Sequence, residues 1–323
     1  IIDYINKAYD LGVDIIAFPE LVITSWPPED LLFNASFIKD ALKTLYKIAK
    51  HVSDIIAIIG FVDKDKDNLF NAAAIINQKK IKAVYHKICL SHDGIFNEMP
   101  YFASGTECPV FSLTTEHGIC GFCVNIGADI SCQNGPTAKQ AKSGASIIFN
   151  IHSSPYHMEK FKRREKIITT AAKKSNVFIA YVNLVGGQDE LVFNGQSFVA
   201  SPDGKIVSKA EAFKEQLLVT DIKIETKKVK GVSDFILKPM EKPFITTFLA
   251  KPLCREAEIY EALLLGLKDY VEKNRFGKVI LGISGGIDSA VVATIAVDAL
   301  GKQRVVGVFM PGQYSSHRSE ADA

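Results

Sequence analysis

The sequence predicts an α/β protein in two parts: a mixed sheet or sandwich layered with helices, then the start of a parallel α/β unit. Three observations carry this expectation. Segments with apolar residues at helical spacing alternate with short apolar runs through the first two thirds of the chain. Several neighbouring runs are joined by short polar turns, which makes them antiparallel pairs. Near the end, a strand, a glycine-rich turn and a helix follow one another without a gap. The length of 323 residues also favours two domains over one.

In chain order, residues 1–11 place Ile1, Ile2, Ile5 and Ala8 at helical spacing, and Gly12 ends that helix. Residues 14–18 read as a strand stopped by Pro19. A helix over 35–52 leads to a strand over 55–61, and "KDKDN" at 64–68 is a polar turn. Residues 71–76 and 82–85 form an antiparallel pair. A strand over 118–126, a helix over 137–143 and a strand over 145–150 follow. The helix over 158–175 precedes the strand over 177–182. Strands over 197–200 and 205–208 flank Pro202-Asp203-Gly204, a hairpin signal. After Asp221 the character changes: residues 225–252 are rich in lysine and proline, have little periodicity, and read as a linker or arm. A helix over 255–272 leads to a strand over 279–281, a helix over 290–300 closed by Gly301, and a second parallel strand over 305–310. The expected division is therefore a first domain over 1–224, a linker over 225–254 and the beginning of a second domain over 255–323.

Hydrophobic residues make up 47% of the chain and charged residues 23%, ordinary values for a globular protein. A formal charge of +2 creates no strong field toward nucleic acid or an acidic membrane. The apolar runs are too short to span a bilayer, and no signal peptide is visible, so a cytoplasmic protein is expected. The six cysteines include one closely spaced pair, Cys120 and Cys123. That pair lacks the second pair or the histidines of a zinc site, so reduced, mostly buried thiols are expected.

Two constellations carry chemistry. The first is "GISGGIDS", 282–289, set between strand and helix. Glycines let backbone N–H groups approach phosphate oxygens, and the helix terminus adds partial positive charge. Ser284 and Ser289 supply hydroxyl donors, and Asp288 in such a site calls for a metal. The loop lacks the lysine of a Walker A sequence. It resembles the pyrophosphate motif of N-type ATP pyrophosphatases, a Rossmann-like parallel α/β fold. The resemblance implies ATP held by Gly282, Ser284, Gly285, Gly286, Asp288 and Ser289, with Mg2+ at Asp288. The second constellation is Glu20, closing "IIAFPE", and Lys87 within "YHKICL". Each alone reads best as half of a buried ion pair. In this order and context they resemble the nitrilases, α-β-β-α sandwiches with a Glu–Lys–Cys triad. There the acid is the general base, the lysine faces the oxyanion and the thiol is the nucleophile.

Nearly the whole chain resembles the glutamine-dependent NAD synthetases, through "FPELVITSWPPEDLLF", "GFVDKDKDNLFNAAAII", "YHKICLSHDGIFNEMPYFASG", "SSPYHMEKFKRRE" and "YVNLVGGQDELVFNGQSF" before "LGISGGIDSA". The resemblance implies a glutaminase domain that sends ammonia through a tunnel to a domain where ATP adenylates deamido-NAD. A homo-oligomer is expected as well. The departure lies in "VNIGADISC", 124–132. The family's strand ends Ile-Cys-Glu-Asp, followed by a small apolar residue and Trp. Here Gly127 takes the cysteine position, Ala128 the glutamate position and Ser131 the tryptophan position. Neither Cys123, inside the strand, nor Cys132, beyond the turn, inherits the place. The leading expectation is amidation of deamido-NAD by free ammonia, with a decayed amidase domain. Two alternatives are a glutamine-dependent enzyme with another nucleophile and a non-catalytic scaffold. The chain opens after the strand expected to begin such a sandwich. It stops soon after the first βαβ unit, so the deamido-NAD site is expected beyond Ala323.

Overall fold

Helix α1 (Ile2–Asp10) and helix α2 (Ala35–Ala49) are amphipathic, and their apolar stripes meet one face of a four-stranded sheet. Asn34 caps α2, its side chain accepting from the amides of Ser36 and Phe37. The sheet runs β1 (Ile15–Ala17), β2 (Ile56–Asp65), β3 (Asn68–Asn77), β4 (Lys80–His86). β1 is parallel to β2, and β2, β3 and β4 form an antiparallel meander. This is a computed structural model, and it describes residues 1–92, 95–115, 118–224, 229, 234–240, 242–313 and 321–322.

The second sheet has seven strands. Its members are β5 (Phe111–Thr115), β6 (Gly118–Ile126), β7 (Ile147–His152), β8 (Phe178–Asn183), β11 (Phe198–Ala200), β12 (Ile206–Lys209) and β13 (Asp234–Ile236). A separate hairpin, β9 (Val185–Gln188) with β10 (Leu191–Asn194), interrupts that order in the chain. The centre of the sheet, β6-β7-β8, is parallel, which calls for crossover helices. These are α3 (Pro136–Lys142) and α4 (Lys160–Ser175).

Strand alternation sets the layers. Ile56, Ile58, Ala73 and Ile75 of the first sheet face Phe122, Val124, Ile126 and Ile151 of the second, forming the buried layer between sheets. Their neighbours Ala57, Ile59 and Phe61 turn outward to α1 and α2. On the second sheet Cys123, Ile148 and Ile179 turn outward to join Ile168 and Ala172 of α4. The order is helix, sheet, sheet, helix, as the sequence predicts. Each fully buried Ile or Phe contributes about 1.5–3 kcal/mol.

Beyond the sandwich, α5 (Arg255–Lys273) packs on the β9–β10 hairpin. Asp269 accepts from the Gly187 amide at 2.7 Å, and Lys273 donates to the Gly187 carbonyl. β14 (Val279–Ile283), α6 (Ile287–Leu300) and β15 (Val305–Phe309) form the expected parallel βαβ unit, with β14 and β15 in register along five residues. No helix among the described residues is long and apolar enough to cross a membrane.

The structure departs from the sequence reading in several places. The turn read over 64–68 is only Lys66-Asp67, because β2 and β3 pair as far as Asp65 and Asn68. β5, β9 and β10 are short, polar or glycine-containing, and pairing with neighbours creates them where local pattern gives no signal. The arm is not wholly irregular: β13 extends the seven-stranded sheet by pairing parallel to β5. Residues 225–228, 230–233 and 241 of that arm, and 314–320 near the end, lie outside the described residues. The cysteines correct the expectation of reduced, mostly buried thiols. Cys89 and Cys132 form a disulfide, and of the free thiols only Cys123 is buried. They are 43 residues apart, so nothing local announces the pair.

Candidate functional site

Glu20 follows β1 in a turn that crosses the first sheet at Gly60. A Cβ there would meet the Pro19 carbonyl and lie 2.6 Å from the Leu21 amide. Gly60 is therefore what lets the turn pass and hold the acid against the sheet. Lys87 lies one residue past β4, where its amide continues the ladder to the Asn71 carbonyl at 2.8 Å. Gly127 opens a short 3-10 turn at the end of β6 with φ +53°. These three positions, from elements far apart in sequence, converge.

Lys87 Nζ lies 2.8 Å from Glu20 Oε1 and 2.7 Å from Glu98 Oε2. The three side chains expose only 3%, 1% and 1% of their surface. Asn71 Nδ2 donates to both acids, at 2.7 Å each. The Ser153 amide donates to Glu20 Oε2 at 3.0 Å, and the Ser153 hydroxyl to the Glu20 carbonyl at 2.7 Å. Two acids thus share one cation out of water. Burial pushes the Glu20 carboxyl up; Lys87 opposes that rise and Glu98 adds to it. Burial alone would lower Lys87, but Glu20 and Glu98 together hold it above its ordinary range.

A Cβ built on Gly127 would sit 2.8 Å from Lys87 Nζ and 3.4 Å from Glu20 Oε1. The backbone at 127 therefore faces the ion pair at the distance of a first side-chain atom, and no side chain is there. Asp129 fixes this turn. Its Oδ2 accepts from Tyr85 at 2.7 Å and from the Ile126 amide at 3.1 Å. Its Oδ1 accepts from the amides of Cys89 at 2.7 Å and Ile88 at 3.2 Å. Asn150 donates to the Gly127 carbonyl at 3.3 Å.

The two thiols nearest in sequence do not reach the gap. Cys123 points to the opposite face of β6, among Ile148, Ile168 and Ala172, and burial pushes its thiol well up. Cys132 is in the disulfide. His152 is a neighbour the sequence did not flag. Its Nδ1 is covered, lacks a hydrogen-bond partner among the described residues, and lies 3.8 Å from Glu20 Oε2. Glu98, Asn71, Asp129 and Ser153 also escaped the sequence reading. Glu98 and Ser153 sit in loops where an acid and a serine are unremarkable, so only the fold shows that they are buried together.

The second constellation lies apart, on α6. Gly285 has φ +74°, and Gly286 precedes the helix with no side-chain cap, leaving the first amides of α6 open. Ser284 Oγ lies 3.1 Å from Ser289 Oγ and accepts from the Gly286 amide at 3.2 Å. Asp288 is exposed in the first turn. A Cβ on Gly286 would come 3.3 Å from Ser284 Oγ and crowd this cradle. Among the described residues no group of three His, Cys, Asp or Glu could hold a metal by itself. A cavity of about 710 Å3 along the open edge of β1 is lined by neither Glu20, Lys87 nor Gly127, and is separate from both constellations.

A carbon-nitrogen hydrolase sandwich carrying a buried Glu–Lys pair is the class that this fold and site define. The carbon-nitrogen hydrolase family profile matches residues 1–228, and the chain belongs to that family. The NAD synthase profile matches residues 259–323. The chain is similar to the glutamine-dependent NAD(+) synthetases of Aquifex aeolicus, 40% identical over 96% of this chain and 57% of the relative, and of Thermotoga maritima, 37% identical over all of this chain and 58% of the relative. Among solved structures it resembles the glutamine-dependent NAD+ synthetase of Acinetobacter baumannii in complex with ADP. That match has a TM-score of 0.82 and 34% identity, and covers 99% of this chain and 57% of the other. A nitrilase-superfamily amidase from Nesterenkonia, 19% identical with a TM-score of 0.56 over 65% of this chain, shares the fold. The chain spans a little over half the length of the relatives it matches.

Proposed function

We propose that the full-length protein amidates deamido-NAD to NAD at the expense of ATP, with free ammonia as the nitrogen donor. Its first domain, residues 1–224, is then a glutaminase-type domain without hydrolytic activity. A linker over 225–254 joins it to a synthetase domain that begins at 255. The NAD synthase match over 259–323 and the relatives' names support the synthetase half. In that half ATP adenylates the nicotinate carboxylate and ammonia displaces AMP. The open amides of α6 and the hydroxyls of Ser284 and Ser289 fit phosphate oxygens. Asp288 fits one position on Mg2+, with phosphate oxygens and water as the others, which is how this ion is commonly held.

The observation that carries the ammonia reading is Gly127. Amide hydrolysis on this architecture passes through a thioester, and Gly127 offers nothing to attack with where Glu20 and Lys87 face it. Removing the nucleophile from a triad enzyme costs on the order of 10⁶-fold in rate. One reading competes. The relatives are named glutamine-dependent, and the Glu20–Lys87 pair persists. A steady-state assay of the full-length protein separates the two. Ammonium should drive NAD formation, millimolar glutamine should not, and a glutamine-derived diazo-ketone should leave the protein mass unchanged. Efficient turnover with glutamine, or an adduct mapped to any cysteine of the first domain, sinks the ammonia reading. Activity with neither donor would favour a scaffold.

A further inference from the structure

The Cys89–Cys132 disulfide stands where the two halves of the Glu20–Lys87–Gly127 site meet. Cys89 is two residues beyond Lys87, and Cys132 is five beyond Gly127 at the outer end of the same turn. Cys132 is exposed and Cys89 partly so, which places the pair at the surface end of the site. The other cysteines provide a contrast: Cys123 is buried, and burial raises the thiols of Cys108 and Cys120. Cys254 is exposed, but no second cysteine is bonded to it.

We propose that Cys89 and Cys132 form a reversible thiol–disulfide exchange site that fastens the outer turn of the Gly127 loop to the segment after Lys87. The chemistry balances with a small-molecule disulfide, RSSR, as oxidant. The Cys132 thiolate attacks one sulfur of RSSR, forming a mixed disulfide and releasing RS⁻. The Cys89 thiolate then attacks the Cys132 sulfur, closing the protein disulfide and releasing a second RS⁻. The two protons leave with the two RSH, and two electrons pass from the protein to RSSR. A dithiol reverses the sequence.

The consequence of reduction is local, because a second clamp does not depend on sulfur. Asp129 holds residues 126–130 through Tyr85 and the amides of Ile126, Ile88 and Cys89. Beyond Asp129 the described bonds of the turn are short-range: the Ser131 amide and hydroxyl donate to the Ala128 carbonyl at 3.0 and 3.1 Å, the Gly135 amide to the Cys132 carbonyl at 3.0 Å, and the Lys139 amide ties the Gly135 carbonyl into α3 at 3.3 Å. Reduction therefore releases the exposed residues 131–134, the outer rim of the site, while Gly135 stays buried at the start of α3. The Glu20–Lys87 pair and the inner turn stay in place.

The test uses the full-length protein equilibrated with oxidised glutathione or with dithiothreitol. Non-reducing peptide mapping should find a peptide joining Cys89 to Cys132 in the oxidised sample. In the native reduced sample both should accept iodoacetamide, with the exposed Cys254 labelled there as the internal control; in the oxidised sample Cys254 should instead carry glutathione as a mixed disulfide. Hydrogen exchange at the amides of 131–134 should quicken at least tenfold on reduction, while 126–130 does not change. Cys132→Ser and Cys89→Ser should each give the reduced pattern under oxidised glutathione. Absence of the 89–132 peptide, or identical exchange in the two states, overturns the proposal. So does rim protection that survives either serine variant.

Discussion

Lys87 is a buried cation between two buried carboxylates, so the two sides of the pair are not equivalent. Lys87→Met leaves Glu20 and Glu98 facing each other without a cation, and should destabilise the protein by about 3–5 kcal/mol. Glu20→Gln keeps the Lys87–Glu98 contact and a neutral side chain of the same shape, and should cost much less. Thermal unfolding of the two variants checks the order; equal losses would show that Glu98 is not a working partner. His152 gives a pH dependence. Burial, then Arg164, Lys87 and Lys160, push its imidazole well below the ordinary range. Tyr181 packs edge-on against the ring, and Glu20 lies 3.8 Å away. Glu20 is itself pushed toward its neutral form, which weakens what attraction it offers the imidazolium. The unfolded chain takes up a proton at this histidine near pH 6.5, and the folded one does not until lower pH. Stability is therefore complete above that value and falls as pH drops through it, by up to about 1.4 kcal/mol per pH unit from this group. Unfolding of wild type and His152→Gln between pH 7 and 5 should show the shallower loss in the variant.

Among elements, the turn that follows β6 is held twice, by Asp129 from within and by the disulfide from outside. Closing a loop across 43 residues restricts the unfolded chain, and the bond should stabilise the protein by about 2–4 kcal/mol. Cys132→Ser under oxidising conditions should lower Tm by several degrees, and dithiothreitol should lower the wild type to the same value. A variant whose Tm matches the oxidised wild type would show that the bond contributes nothing. The β9–β10 hairpin works differently. It touches the Glu20 loop through Ser25 and Gln188, at 3.5 Å, and through Phe193 edge-on to Trp26. Its other side is gripped by Asp269 and Lys273 of α5. Gly187 permits that approach, since a Cβ would lie 3.1 Å from the Asp269 side chain. The sandwich and the segment leading into the βαβ unit are joined through this hairpin.

In the molecule as a whole, the two constellations sit on different architectures, and each can be damaged alone. Asp288→Ala removes the carboxylate proposed to meet the metal, and Ser284→Ala removes a hydroxyl proposed to donate to phosphate. Each lost contact should weaken ATP binding by about 1.5–3 kcal/mol, roughly 10- to 150-fold, in the full-length protein. Calorimetry with ATP and Mg2+ reads this directly, and unchanged affinity in both variants would remove the loop from the nucleotide site. Neither substitution should alter the Glu20–Lys87 pair. The βαβ unit leaves Ile280, Ile287, Val292 and Val306 exposed, an apolar surface suited to further packing.

Periodicity by itself pointed to an α/β protein with a mixed sheet or sandwich, and the helix, sheet, sheet, helix order followed from the nitrilase resemblance. The strand 118–126 and the helices 35–52 and 158–175 were legible because each buries a continuous face, and a buried face writes its period into the residues; the helix 255–272 and the strand 305–310 were legible from their apolar pattern although they bury little here. The SGGIDS loop stood out because the phosphate cradle proposed for it needs glycines, hydroxyls and a helix start in one contiguous stretch. The gap at Gly127 was legible only through the resemblance to the glutamine-dependent NAD synthetases, whose strand ends in cysteine at this position. What tertiary structure alone decided is whatever depends on contacts between distant segments. Glu98 and Asn71 complete the buried network from a loop and a strand with no signal of their own. β13 exists because β5 offers it an edge. Cys89 and Cys132 meet because Lys87 and Gly127 do, and no spacing in the chain records that two loops will close on the same point.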